Sequence, residues 1–348
     1  MSEKNQQSCR LGKVGGQAVM EGVMMKSGER YSVAVLQEDH SITVVDGEHS
    51  SIRKKNKFLN LPIIRGVVNF VETMILSYKT LSVSADAFMG EFEEEESKFE
   101  KWLKKHFGAR VMDIVMTLAV VLGLCLGLGL FILLPDFVLD LVEKLAHFSF
   151  GNFRALASGL IKIGIFVLYI YLVSKMSYIR RTFEFHGAEH KSIACFEAGE
   201  ELTPENAKKY SRFHPRCGTS FIFVMLILGI LVFTLVFMIP FTNVWYIRTP
   251  LRILLLPIIV GVGYEYIMFA GKHDNAFTRL FSAPGLWMQR LTTHEPNEEQ
   301  LAVAIVALKC AMPDTFDRAE VDAELEAMKP KAEESTEAPE EKTENDEN

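Results

Sequence analysis

Four apolar runs, each close to the length needed to cross a bilayer's hydrocarbon core, constrain this chain more than any other feature. They extend from Met112 to Leu134, from about Leu160 to Ile179, from Ser220 to Ile239 and from about Ile253 to Ala270. Pro135 and Pro240 close the first and third, Lys162 lies near one end of the second where its stem can snorkel, and Glu265 falls inside the fourth. Runs of this length and composition are rare as buried helices of soluble cores. The expected fold class is therefore mainly α: a polytopic membrane protein with four transmembrane helices, plus a small N-terminal β-containing cytoplasmic region and an amphipathic helix. The lipid bilayer is its first partner.

Basic residues beside those runs give an orientation. Lys98, Lys101, Lys104, Lys105 and Arg110 precede the first run, and Arg180, Arg181, Lys191, Lys208, Lys209, Arg212 and Arg216 lie between the second and third. Lys272, Arg279 and Arg290 follow the fourth, whereas the opposite side has only Lys144, Arg154, Arg248 and Arg252. The positive-inside rule then places both termini and the loop at 180–218 in the cytoplasm, with the chain in a bacterial inner membrane. The start MSEKNQQSCR has no apolar core, so no cleavable signal is expected. Cys9, Cys195, Cys217 and Cys310 fall on the cytoplasmic side and Cys125 inside a helix, which implies no disulfide framework. Of the net charge of −7, the last 18 residues carry −6, from eight acids and two lysines, and read as a disordered, solvating tail. No nucleic-acid partner is expected.

The remaining organisation follows from local patterns. Residues 1–57 read as a cytoplasmic β-containing segment, with Tyr31 to Leu36 and Ile42 to Val45 forming a hairpin across QEDHS. The glycines of VGGQAVMEGVMMKSGER either let backbone approach a neighbour or make tight turns; turns are the expected reading. Residues 58–110 hold an amphipathic helix from Ile63 to Val83, interfacial or re-entrant rather than a fifth span, or else packed on the N-terminal region, and an acidic linker at Glu91 and Glu93 to Glu96. The membrane domain is 111–272, residues 273–312 form a C-terminal cytoplasmic segment, and 313–348 form the acidic tail. Within the 180–218 loop, Phe183 to Ala198 reads as a helix ending at Gly199, Thr203 caps a short helix at Pro204, and His214-Pro215 breaks the chain.

The most specific chemical signal is FHGAEHK in that loop. At about 100° per residue, His186 and His190 lie about 40° apart around a helix, with Glu189 about 60° to the other side of His186. His-x-x-Glu-His is the inverted zinc-protease arrangement, in which the histidines hold the metal and the glutamate works on water. A solvated helix face rich in His and Glu would look the same, so the remainder of the ligand set matters. A catalytic zinc needs a third protein ligand and one open position. Glu265, an ionisable group in an apolar span and 75 residues beyond His190, is the first choice; His214 and Cys217 of HPRCGTS are the competitors. Cys217 could also serve as a nucleophile with His214 as its base, although a ligand or structural role is favoured. In PGLWMQRLTTHEP, Trp287 suits an interfacial anchor, and Arg290 could pair with lipid phosphate, substrate or a carboxylate. LAVAIVALK is too short to span.

The motifs GGQAVMEGVMM, LPIIRGVVNFVET, FHGAEHK, HPRCGTSF, GVGYEY and PGLWMQRLTTHEP together resemble the bacterial YqhQ-type family over roughly residues 11 to 310. Lys26 stands where arginine is common in that family, and His294 where another basic residue is usual. The resemblance implies a membrane domain of unknown function with predicted metal dependence, and supplies no reaction. From the residues, the expected function is a metal-dependent hydrolase acting on a membrane-associated substrate. His186, His190 and Glu265 would hold zinc, with His214 or Cys217 as substitutes, and Glu189 would be the proton acceptor. The alternatives are a non-catalytic scaffold or regulator with a structural metal or polar core, and, more weakly, a transporter. The sequence assigns no oligomeric state.

Overall fold

The computed structural model describes residues 10, 12–89, 111–239, 241, 244–270, 273 and 275–328. The acidic run at 91–96, the basic cluster at 98–110, Lys272, Cys9 and the tail from 331 onward lie outside the described residues.

Four strands, β1 (Val14–Val19), β2 (Gly22–Ser27), β3 (Arg30–Leu36) and β4 (Ile42–Glu48), form one antiparallel meander in chain order. The expected β3–β4 hairpin is present, but the glycine-rich segment before it is two further strands rather than a series of turns. Glycine is there for close approach: a Cβ on Gly22 would stand 2.1 Å from the Ala34 carbonyl oxygen. Only Gly28, at φ +61°, serves the β2–β3 turn as a glycine.

Both faces of this sheet are covered, so β3 reads as a nearly continuous buried strand. Val19, Met24, Tyr31, Val33 and Val35 face Leu76 of α1 (Ile64–Met89). Val23, Met25, Ala34 and Leu36 face a larger core built with α5 (Ser177–Ala198) and α10 (Glu298–Ala311). LAVAIVALK is thus the central helix of the extramembrane core, too short to span because its partners are strands. Further along the chain, α11 (Arg318–Met328) buries Val321 in the same core and ties Arg318 to Asp46. Order therefore runs past residue 313, where the sequence reading begins the tail.

The membrane-length helices number four among the described residues. The first is composite: α2 (Val111–Leu128), a π turn at Gly129–Leu133, and α3 (Leu134–Ala146). Pro135 does not end it: the π turn, in which the Leu134 N–H donates to the Gly129 carbonyl, shifts the hydrogen-bond ladder just ahead of the proline. The second, α4 (Arg154–Val173), lies earlier than the apolar run predicts. The chain leaves it at Ser174–Met176, and Tyr178 and Ile179 belong to α5, which starts six residues before the expected Phe183. Next come α7 (Gly218–Phe237) and α8 (Trp245–Ala270), the latter with Pro250 and Pro257 inside; α9 (Ala276–Thr292) packs back along α7. The short α6 (Pro204–Lys208) is capped by Thr203 as read.

α1 joins the two layers. Its buried face carries Leu76, Thr80 and Ser84 on the sheet, while Val71, Met74, Ile75, Tyr78 and Leu81 form an exposed apolar stripe. At its start Arg65 grips Glu265 of α8, with Nε 2.7 Å from Oε1 and Nη2 2.5 Å from Oε2, and Gly66 crosses α8 directly at Gly261. Arg65→Ala alone is expected to cost about 1–2 kcal/mol, less than for a fully buried pair because both side chains retain exposure. Arg65→Ala/Glu265→Ala should recover part of that loss. A double variant whose loss equals the sum of the Arg65→Ala and Glu265→Ala losses in detergent unfolding would deny the pair any energetic weight.

Candidate functional site

α5 runs from the second span into the sheet and ends at Gly199, whose φ of +84° is the left-handed conformation of a helix C-terminal glycine. Its middle, from Phe185 to Phe196, is almost wholly buried, which is unusual for a stretch containing two histidines, a glutamate and a lysine. Each of these polar groups has a structural answer except the two atoms discussed below.

His186 places Nδ1 2.8 Å from the carbonyl oxygen of Thr292, and His190 places Nδ1 2.5 Å from that of Arg212. A carbonyl can only accept, so Nδ1 carries the proton in both rings, and in the neutral rings Nε2 carries a lone pair. The rings lie 4.4 Å apart, centroid to centroid. Cys217, at the N-terminal cap of α7, brings Sγ to 3.2 Å from His186 Nε2. One donor atom from each of His186, His190 and Cys217 lies within 4.8 Å of the other two. Two imidazole nitrogens and a thiol are the donors that zinc takes, and carbonyl-fixed Nδ1–H groups are how ligating histidines are normally oriented. Among the described residues, His190 Nε2 is buried with no hydrogen-bond partner, and so is Glu189 Oε2. Unpaired buried polar atoms are costly, and here both belong to side chains facing one small region. The residues present therefore fit a metal ion.

Glu189 stands beside this triad, with Oε2 4.0 Å from His186 Nε2. Burial pushes its carboxyl up to about 7, with the charge of His186 opposing the shift. Burial likewise lowers the His190 imidazole, favouring the neutral, ligating form. Space for Glu189 comes from Gly16 of β1: a Cβ there would stand 2.9 Å from Glu189 Cγ.

Glu265 is elsewhere. Its carboxylate is taken by Arg65 and by the backbone N–H of Ile63, 3.4 Å away, so the structure does not bring it to the histidines. His214 comes near, its ring 5.5 Å from that of His190, but it belongs to a neighbouring network. Its backbone N–H donates to Gln289 Oε1 and its carbonyl accepts from Gln289 Nε2, both at 2.8 Å, while its Nε2 faces Glu197 at 3.9 Å. Burial alone would raise Glu197, but His214, the Gly12 N–H and Arg216 together hold it down at about 2.

That depression is a stability statement. A carboxylate near 2 folded and near 4.5 unfolded stabilises the fold fully above about pH 4.5, and loses this as pH falls toward 2. Glu197→Gln is expected to cost about 2–3 kcal/mol at neutral pH, with the gap from wild type closing between about pH 4.5 and 2. A gap that stays constant across that window would remove the assignment.

Three residues of the site are not singled out by sequence reasoning. Gln289 is fully buried, and besides His214 it donates to Ser220 Oγ at 2.7 Å, binding α9 to the start of α7. Its only sequence signal is a glutamine on the apolar face of WMQRL. Lys191, 4% exposed, donates to the carbonyls of Lys208 and Tyr210 at 3.0 and 2.9 Å and pairs with Glu295, fixing the return of the loop. Gly187 is required because a Cβ there would stand 2.0 Å from the carbonyl oxygen of His294. Thus the segment ending in TTHEP, read from sequence as an anchor, also orients His186 through Thr292. Trp287 is exposed as that reading expects.

The matches to known proteins agree with the motif pattern. The family model described as "Protein of unknown function (DUF1385)" matches residues 61–314. The "Uncharacterized protein YqhQ" of Bacillus subtilis (strain 168) is 35% identical over 294 residues, covering 84% of this chain and 89% of that relative. No solved structure matches. With a family model spanning most of its length and a relative of this identity and coverage, the chain belongs to the DUF1385 family, whose YqhQ member is uncharacterised.

Proposed function

We propose that this protein is a zinc-dependent hydrolase working at the cytoplasmic face of a bacterial inner membrane. The observation that carries the reading is the convergence of one donor atom from each of His186, His190 and Cys217 within 4.8 Å of one another beside a buried carboxylate. His186, His190 and Cys217 would hold the ion, which leaves a fourth position for water or substrate. Bound zinc supplies a fixed positive charge that acidifies water and polarises a carbonyl or phosphoryl oxygen. Glu189, with one buried oxygen lacking any partner among the described residues, accepts the proton of the attacking water and returns it to the leaving group. Thr292 and Arg212 carbonyls hold both imidazoles in the required tautomer throughout. His186 is the most open of the four side chains' residues, so substrate approaches from its side. Because Cys217 begins a membrane span, the supported substrate class is an ester, amide or phosphoester on a membrane-associated molecule.

A second reading is favoured by the same burial: Glu189 could move in as a fourth ligand and make a closed structural site in a scaffold or regulator. X-ray absorption at the zinc edge separates the two. The hydrolase reading expects about one zinc per chain with two nitrogens, one sulfur and an exchangeable oxygen, unchanged by Glu189→Gln. Loss of the oxygen shell in Glu189→Gln would establish the closed site, and a metal-free protein from zinc-replete cells would remove both.

Orientation rests on the basic-residue count and on the spans' own order. Reporter fusions after Arg181 should read cytoplasm and fusions near Lys144 or Arg248 the opposite side. A reversed pattern moves the site to the outer face and excludes a cytoplasmic substrate.

A further inference from the structure

α9 has two faces, and the proposed metal site uses one of them. Gln289 bonds the backbone of His214 and Thr292 accepts from His186, whereas Trp287 and Arg290 are exposed on the other side of the helix. That outer face and α4 line a groove of about 620 Å³, within the range of roughly 300–1,000 Å³ typical of small-ligand sites. Gly164 makes room for it, since no atom among the described residues lies within 4 Å of where its Cβ would stand. Along α4, Gly164, Leu168 and Tyr171 stand at i, i+4 and i+7. They form one stripe about 10 Å long that runs from mid-span toward the C-terminal end of the helix.

The chemistry of the groove changes along that stripe. Leu168 and Leu291 supply aliphatic wall, Tyr171 and Trp287 are the aromatic types that collect where a membrane meets water, and Arg290 is the one charged side chain among the described residues that line it. No hydrogen bond, ion pair or ring contact engages the Arg290 side chain among the described residues. Lys175, about one turn beyond Tyr171, holds Nζ 5.0 Å from the centre of that ring. Neither cation has a carboxylate within ion-pair distance among the described residues. Glu184, which shares the surroundings of His294 with Lys175, is committed to Arg180 at 3.6 Å and to the Gln300 amide at 3.1 Å. An apolar recess in the side of a span, with two cations lacking a carboxylate partner where the span ends, matches the chain and the phosphate of one molecule together. A soluble phosphate would leave the apolar length unused, and a protein partner would have to bring an anion of its own to the edge of the lipid.

We propose that this groove binds an anionic phospholipid, its chain lying along Gly164 and Leu168 and its phosphate held by Arg290 and Lys175. The site does not rest on the metal reading, and a metal-free protein should bind the same lipid.

The test uses the full chain in phosphatidylcholine vesicles, with Trp102→Phe and Trp245→Phe leaving Trp287 as the one tryptophan of three. Phosphatidylglycerol brominated on its acyl chains is added as a minor component, and brominated phosphatidylcholine at the same fraction is the comparison. Quenching of Trp287 by the anionic lipid should exceed that by the neutral one, and the excess should fall about fivefold in Arg290→Gln and again in Lys175→Gln. Gly164→Phe, which fills the groove without changing its charge, should abolish the excess. Native mass spectrometry of the wild-type chain should find phosphatidylglycerol retained in preference to phosphatidylcholine. Equal quenching by the two lipids and equal retention would overturn the proposal. So would an excess that survives Gly164→Phe, which is attraction to the surface at large, or a lipid-free dimer dissolved by Gly164→Phe, which puts a second copy in the groove. The wild-type retention decides the matter even if a variant does not fold.

Discussion

Cys217→Ala is expected to strip zinc from the purified protein, while Glu265→Gln leaves metal content unchanged. The argument is one of distance and prior engagement. Cys217 Sγ is 3.2 Å from His186 Nε2, and zinc held by two imidazoles alone lacks the third protein ligand of a stable site. Removing a supporting hydrogen-bond partner from a metal ligand costs about 10–100-fold in affinity, and removing a ligand costs more. Glu265 meanwhile is committed to Arg65 at 2.7 and 2.5 Å. Its neutral isostere should weaken the α1–α8 contact without touching the metal. Elemental analysis after dialysis against a zinc buffer reads both outcomes, and His186→Ala/His190→Ala supplies the empty reference. Zinc retained by Cys217→Ala but lost from Glu265→Gln would restore the carboxylate as third ligand and reject the site described above.

That contrast shows what was legible in the sequence. The four spans could be read because apolar length is a property of each segment alone, and His186, Glu189 and His190 could be placed on one face because helix period is local. The ligand that completes them is a tertiary matter. Glu265 stood out because a carboxylate in an apolar run demands a partner, and that demand was correctly felt; the partner is Arg65, 200 residues away in sequence. Cys217 carried the weaker signal of a cysteine three residues after His214, yet its place at the head of α7 delivers its sulfur to the histidines. Pro135 misled for a related reason: proline stops a helix interior, but a π turn before it shifts the hydrogen-bond ladder just ahead of it. The glycines of the N-terminal segment were ambiguous because strand glycine and turn glycine look alike until the opposite wall is known. At Gly16 that wall is Glu189 and at Gly22 it is Ala34.

Gly187, inside HGAEH, gives the sharpest test of whether the site is held from outside its own helix. By helix propensity alone Gly187→Ala should stabilise α5 by about 1 kcal/mol. The structure predicts the opposite sign. The new Cβ would stand 2.0 Å from the His294 carbonyl oxygen, and that oxygen is backbone, with its own N–H donating to the Phe183 carbonyl at 2.9 Å. Relief requires the 292–296 segment to move off α5, at an overpacking cost of about 1–3 kcal/mol that outweighs the propensity gain. The displacement also draws the Thr292 carbonyl from His186 Nδ1, so zinc affinity should fall by about 10–100-fold although no ligand is altered. Gly164→Ala in α4 is the control: among the described residues nothing lies within 4 Å of its added methyl group, so it should show the propensity gain of about 1 kcal/mol and no change in zinc affinity. Thermal midpoint and competitive zinc titration measured on the two variants decide between propensity and packing. A Gly187→Ala protein more stable than wild type, with unchanged zinc affinity, would show that His294 yields freely and that Thr292 does not orient the site.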